Sequence, residues 1–149
     1  SSIDTPTTTL DELVSALKIE PDLVKIDVEG AERLVLEGAR ELAHRGNVTF
    51  IVEMHSNPEL SMAANGRAVL DWCQRMSYEA WYMTEPQKVT TPDVFAHRGR
   101  CHLLLIPRGL PYPDCLVGIK QQGDTQDSPA WQKRRRKQDR ELRRRMPAV

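Results

Sequence analysis

"LVKIDVEGAERLVLEGA", residues Leu23 to Ala39, decides how this chain is read. An apolar run closes on two carboxylates, Asp27 and Glu29; Gly30 follows, and then a helical pattern begins. Leu23 to Ile26 is short and apolar, which reads as a strand. Buried carboxylates at its end are costly unless a ligand, a metal or a mutual partner compensates them. In open α/β sheets, ligands bind just beyond the carboxyl ends of the strands.

The flanking segments supply the rest of such a sheet. "TTLDELVSALK" reads as a helix opened by a capping box, with Thr9 as cap and Glu12 reaching back to it. Leu10, Leu13, Val14 and Leu17 form its expected buried stripe. Ala31 to His44 reads as one helix, with Leu34, Val35, Gly38 and Leu42 on the inward face. "VTFIVEMH", Val48 to His55, is the strongest strand, β-branched and continuously apolar up to Val52, as in a parallel sheet covered on both faces. Arg67 to Met76 reads as a third long helix, and "EAWYM" and "RCHLLLIP" as two closing strands, an antiparallel pair. Strands alternating with helices predict an α/β sheet in which Leu23–Asp27 and Val48–His55 are adjacent and parallel.

The candidate site follows from that expectation. Asp27 and Glu29 end one strand, Glu53 and His55 end the other, and residues two apart point the same way while the chain is extended. Neighbouring strands would line one cleft with all four. Lys25 shares the parity of Asp27 inside the apolar run and, if buried, needs an acidic partner. Glu32 lies in a first helical turn, where an acid complements the helix dipole. His44, His97 and His102 have no acid or cysteine at ligand spacing and read as structural.

The 149 residues are the size of one domain, with net charge +0 and 28% charged residues, ordinary for a globular chain. No apolar run approaches the roughly 20 residues that span a bilayer. Three cysteines without a CxxC suggest neither a zinc ribbon nor a disulfide framework, and the cytoplasm is the expected location. The neutral total hides an asymmetry. From Trp131 onward there are nine Lys or Arg and two acids, leaving 12 basic and 19 acidic residues before it. The expected organisation is a body over residues 1–108, a Pro/Gly linker over 109–130 and a basic tail over 131–149. The tail has one aromatic, Trp131, so no stacking platform for nucleic acid is evident. A non-catalytic half-domain, or an interaction module whose basic tail binds an anionic partner, is the competing reading.

"TTLDELV", "PDLVKIDVEGAERLVLEGARELA", "FIVEMH" and "CHLLLIP", in this order and spacing, resemble the FkbM family of S-adenosylmethionine-dependent methyltransferases. "KIDVEGAE" is the specific part, and the similarity runs over roughly Thr8 to Arg108. The resemblance implies a class I, Rossmann-like sheet, ordered 3-2-1-4-5-7-6 with strand 7 antiparallel. Leu23–Asp27 is similar to strand 4, Val48–His55 to strand 5, and the last two strands to 6 and 7. It also implies S-adenosylmethionine as cofactor and a small-molecule hydroxyl, of a sugar or natural product, as acceptor. Asp27, Glu29, Glu53 and His55 become the expected catalytic residues. His55 suits the base role because imidazole titrates near about 6.5. Hard oxygen donors on Asp27, Glu29 and Glu53 would suit Mg²⁺, though nothing in the spacing demands a metal. One departure stands out. The cofactor's glycine-rich turn is missing, since no two of the eight glycines form GxG. A partial domain, strands 4-5-7-6 without 1–3, is therefore the expectation, with weak cofactor binding by this chain alone.

Overall fold

Thr49–His55, here β2, is the axis of the sheet. The computed structural model describes residues 6–56, 59–83 and 86–117. Among them lie α1 (Leu10–Leu17), β1 (Leu23–Ile26), α2 (Glu32–Glu37), α3 (Arg40–His44), β2, α4 (Met62–Met76), β3 (Tyr78–Tyr82), β4 (Gln87–Val89) and β5 (Arg100–Pro107). Two 3₁₀ turns, Pro92–Val94 and Asp114–Leu116, complete the set. The five strands form one mixed sheet in the order β1-β2-β5-β3-β4. β1 and β2 pair in parallel, with Ile26 opposite Val52, as the apolar runs predicted. β5 is antiparallel to both β2 and β3, so it separates them. The short strand β4 was not foreseen; it hairpins onto β3 with Ala80 opposite Val89.

Alternation along the strands divides the sheet into two faces. Phe50, Val52, Met54, Leu103 and Leu105 share one core with Val14, Leu36, Leu42, Val69 and Trp72 of the helices. Phe50, Trp72 and Tyr78 form its centre, with ring centroids 5.4 to 5.7 Å apart. The opposite face carries a smaller cluster, Met83, Leu104 and Ile106, packed by Ile51, Trp81, Tyr112 and Leu116. Gly109 to Val117, read from composition as the start of a linker, thus contributes Tyr112 and Leu116 to the body, and the Trp81 and Tyr112 rings lie 5.6 Å apart. The rest of that linker and the basic tail lie outside the described residues.

The helix expected over Ala31–His44 is two helices, broken at Gly38–Ala39. The cause is the N-terminus of α1. A Cβ on Gly38 would sit 3.2 Å from Thr9 Cβ, and the Asp11 N–H donates to the Gly38 carbonyl at 2.9 Å. The Asp11 carboxylate then accepts from the N–H groups of Glu41 (3.0 Å) and Leu42 (2.9 Å). Asp11 therefore caps α3, whose own N-cap residue Ala39 has no side chain to offer. The break also turns the inward face. Leu36 and Ala39 are buried, whereas Leu34 is 60% exposed. In α1 the capping box forms as predicted, but Leu13 and Leu17 are exposed and only Val14 is fully covered.

At α4 the chain starts five residues earlier than expected, because Ser61 accepts from the Ala64 N–H and caps it. Gly66 allows this helix to close on the Pro92–Val94 turn; a Cβ there would lie 2.6 Å from Phe95 Cε2.

Two outcomes follow from this packing. Asp11→Ala removes the shared cap and lowers unfolding free energy by about 1 kcal/mol, within the ~0.5–2 range of lost caps, as read from urea denaturation. Burial pushes the Cys73 thiol from 9.0 up to about 12 and the Tyr78 phenol from 10.0 up to about 12. Both groups then favour the folded state while they stay protonated. That stability is complete below the unfolded values and is lost as pH rises through the folded ones. The urea midpoint should stay level up to pH 9.0 and fall on the way to about 12; a level midpoint across that window would contradict the burial argument.

Candidate active site

At the carboxyl ends of β1 and β2 lie Glu32, Glu53 and His55, the buried ionisable side chains that stand out among the described residues. β1 ends at Ile26, so Asp27 and Glu29 belong to the turn that follows. Glu29 has φ 53° and Gly30 φ 103°, a left-handed pair that reverses the chain. For Glu29 this conformation costs on the order of 1 kcal/mol, whereas Gly30 adopts it freely. The reversal brings the first residue of α2, Glu32, back beneath the turn.

Glu32 is the least expected member. It is 0% exposed, and three donors converge on its carboxylate. The Gly30 N–H donates to Oε1 at 3.0 Å, His55 Nδ1 lies 3.0 Å from the same oxygen, and Asn65 Nδ2 donates to Oε2 at 2.7 Å. A solvated first-turn acid serving only the helix dipole would show none of this. The sequence carried one signal for it: Glu32 stands four residues before buried Leu36, on the same face of α2. Asn65 was missed because the helix was started at Arg67. It occupies the buried stripe of α4 with Val69, Trp72 and Cys73.

The four expected residues come together, in unequal environments. His55 and Glu53 are buried on β2, while the Glu29 side chain is 83% exposed. His55 Nε2 stands 3.7 Å from Glu29 Oε2 and 3.6 Å from Glu53 Oε1, longer than hydrogen bonds. Asp27 is exposed and meets Lys25 Nζ at 2.8 Å. This hydrogen bond holds the Asp27 carboxyl below its ordinary value and raises Lys25. Lys25 is itself exposed rather than buried, and it reaches Glu53 Oε2 at 3.5 Å. Around Glu53 stand also Arg100 Nη1 at 3.4 Å and His102 Nε2 at 3.2 Å. His102, read as structural, is brought there by register, directly opposite Glu53 on β5. His44 accords with its structural reading, its Nδ1 lying 2.7 Å from the Arg40 carbonyl oxygen.

One donor atom from each of Asp27, Glu29 and His55 lies within 4.8 Å of the others, a set that could take a divalent cation. The same atoms could equally receive a proton from a hydroxyl placed among them.

The model of the methyltransferase FkbM domain matches residues 1–80, which carry β1, the turn, α2 and all of β2. The chain belongs to the FkbM methyltransferase family. Neither the curated proteins nor the solved structures compared with it gave a match. The matched segment holds Asp27, Glu29, Glu32, Glu53, His55 and Asn65; Arg100 and His102 lie beyond it. As an FkbM chain it is placed among methyltransferases, and among its described residues no helix is long and apolar enough to cross a membrane. Its turn after β1 is closed by its own carboxylate, Glu32, bound to the Gly30 N–H.

Glu53→Ala tests the electrostatics of this FkbM site. Without that anion, Lys25, Arg100 and His102 lose their common partner, so the variant should lose stability in low salt and recover part of it in high salt. Thermal melting at two ionic strengths reads the difference.

Proposed function

We propose that these residues form the acceptor side of an S-adenosylmethionine-dependent O-methyltransferase, acting on a hydroxyl of a sugar or natural-product-like small molecule. The observation that carries the proposal is the position of His55. Its ring is buried and tethered at Nδ1, while Nε2 faces the turn that bears Asp27 and Glu29.

The described residues do not fit the methyl donor. No two glycines form GxG, and the glycine turn after β1 already holds the Glu32 carboxylate. On the acceptor side the chemistry is proton removal. A hydroxyl seated between Glu29 and His55 would give its proton to Nε2. Glu29 and Glu53, 3.7 and 3.6 Å away, then face the imidazolium that forms. Asp27, tied to Lys25, and Glu29 would orient neighbouring hydroxyls of a polar acceptor.

Three measurements test this. Calorimetric titration of the 149-residue chain with S-adenosylmethionine should give no micromolar binding; such binding would overturn the misfit. In an assembled enzyme that joins these residues to a donor-binding half, His55→Ala should lower kcat about 10²–10⁴-fold, the usual worth of a positioned base. Activity of the same enzyme should survive excess EDTA. Loss on chelation, restored by Mg²⁺, would replace His55 as base by a cation held by Asp27, Glu29 and His55, which would acidify the hydroxyl for a proton acceptor other than His55.

A further inference from the structure

A base at His55 Nε2 works only if that nitrogen carries the lone pair, so the other must carry the hydrogen. We propose that Glu32 is the positioning residue that enforces this tautomer, with Gly30 and Asn65 fixing Glu32 in turn. The inference rests on the proposed role of His55 and adds a residue that touches neither substrate nor donor.

The hydrogen-bond inventory leaves little choice. The Gly30 N–H can only donate, and it donates to Glu32 Oε1. Asn65 is oriented by its two neighbours, Glu32 Oε2 at 2.7 Å and the His55 carbonyl at 2.9 Å. Both are acceptors, so the amide must present Nδ2 to them. Its own Oδ1 is left buried without a hydrogen-bond partner. Both Glu32 oxygens are thereby engaged as acceptors, and His55 Nδ1, 3.0 Å from Oε1, is the donor. Nε2 is then the unprotonated nitrogen, and it faces Glu29 and Glu53.

The anchors come from three different elements. Gly30 belongs to the turn after β1, His55 ends β2, and Asn65 lies one turn into α4. Ring rotation about the His55 side chain would break the Nδ1 contact, so the carboxylate fixes direction as well as tautomer. Glu32→Gln is the discriminating change. A glutamine has nearly the same shape, but its amide offers one acceptor atom to the three donors that meet the carboxylate, so hydrogen on Nδ1 is no longer enforced.

The test is nuclear magnetic resonance of the ¹⁵N-labelled 149-residue chain in mildly alkaline buffer, reading both ring nitrogens through their couplings to the ring protons. In the wild type, Nδ1 should be protonated and Nε2 bare. In Glu32→Gln a large fraction should shift to hydrogen on Nε2, and Glu32→Asp should retain more of the wild-type signature. A wild-type ring protonated at Nε2 would overturn the proposal, as would a Glu32→Gln ring unchanged from the wild type. Should Glu32→Gln fail to fold, the wild-type and Glu32→Asp spectra still decide. In the assembled enzyme, Glu32→Gln should lower kcat on the order of 10²–10⁴-fold, with KM for the acceptor little changed. Full activity of His55→Ala there would remove the base and with it the catalytic purpose of the pair. That failure belongs to the proposed function; the spectra read the tautomer independently of it.

Discussion

The carboxylate of Glu32, sunk beneath the turn after β1, is the constraint on which the polar end of this domain depends. It is the point where the turn, the end of β2 and the start of α4 meet, through Gly30, His55 and Asn65. An ion in the interior is stabilising only when its lone pairs are met by donors, and here three donors from three elements meet them. The left-handed pair Glu29–Gly30 follows from the same demand, because the chain must fold back sharply to put residue 32 under residue 30.

On the outer side of the imidazole the balance differs. Asp27 and Glu53 are set against Lys25, Arg100 and His102 at 2.8 to 3.5 Å, and Glu29 faces the imidazole itself at 3.7 Å. Such contacts contribute little individually. They surround the Nε2 side of the ring with groups of mixed sign, among which Glu53 is buried and the others are more open to solvent. The His55 ring thus has one side locked and one side adaptable, the arrangement expected where orientation must be fixed but the bound molecule must come and go.

Much of this was legible in the sequence, for identifiable reasons. Leu23–Ile26 and Thr49–His55 announced themselves as apolar runs, and their parallel pairing brought Asp27, Glu29, Glu53 and His55 together. What escaped depended on contacts between distant segments. The split of the helix after Glu37 needs Thr9 and Asp11, and no periodicity within Ala31–His44 reveals them. With the split unseen, Leu34 was turned inward in place of Leu36, and Glu32 lost its place on the buried face. His102 enters the site through the β2–β5 register, which spacing along one strand does not encode. The bonding of Glu32 was therefore hidden behind an error in the neighbouring helix.

The cap that Asp11 places on α3 also bears on how the chain acquires its structure. Five residues are far too few for a helix to persist by itself in water. Its first hydrogen-bond acceptors come from residue separations of 30 and 31. α3 therefore draws part of its stability from α1, across a loop that holds β1 and α2. Closing a loop of that length costs entropy that local helix formation does not return. The docking of α1, α3 and the enclosed turn is expected to be a single cooperative event, so the turn after β1 is ordered together with the segment around it.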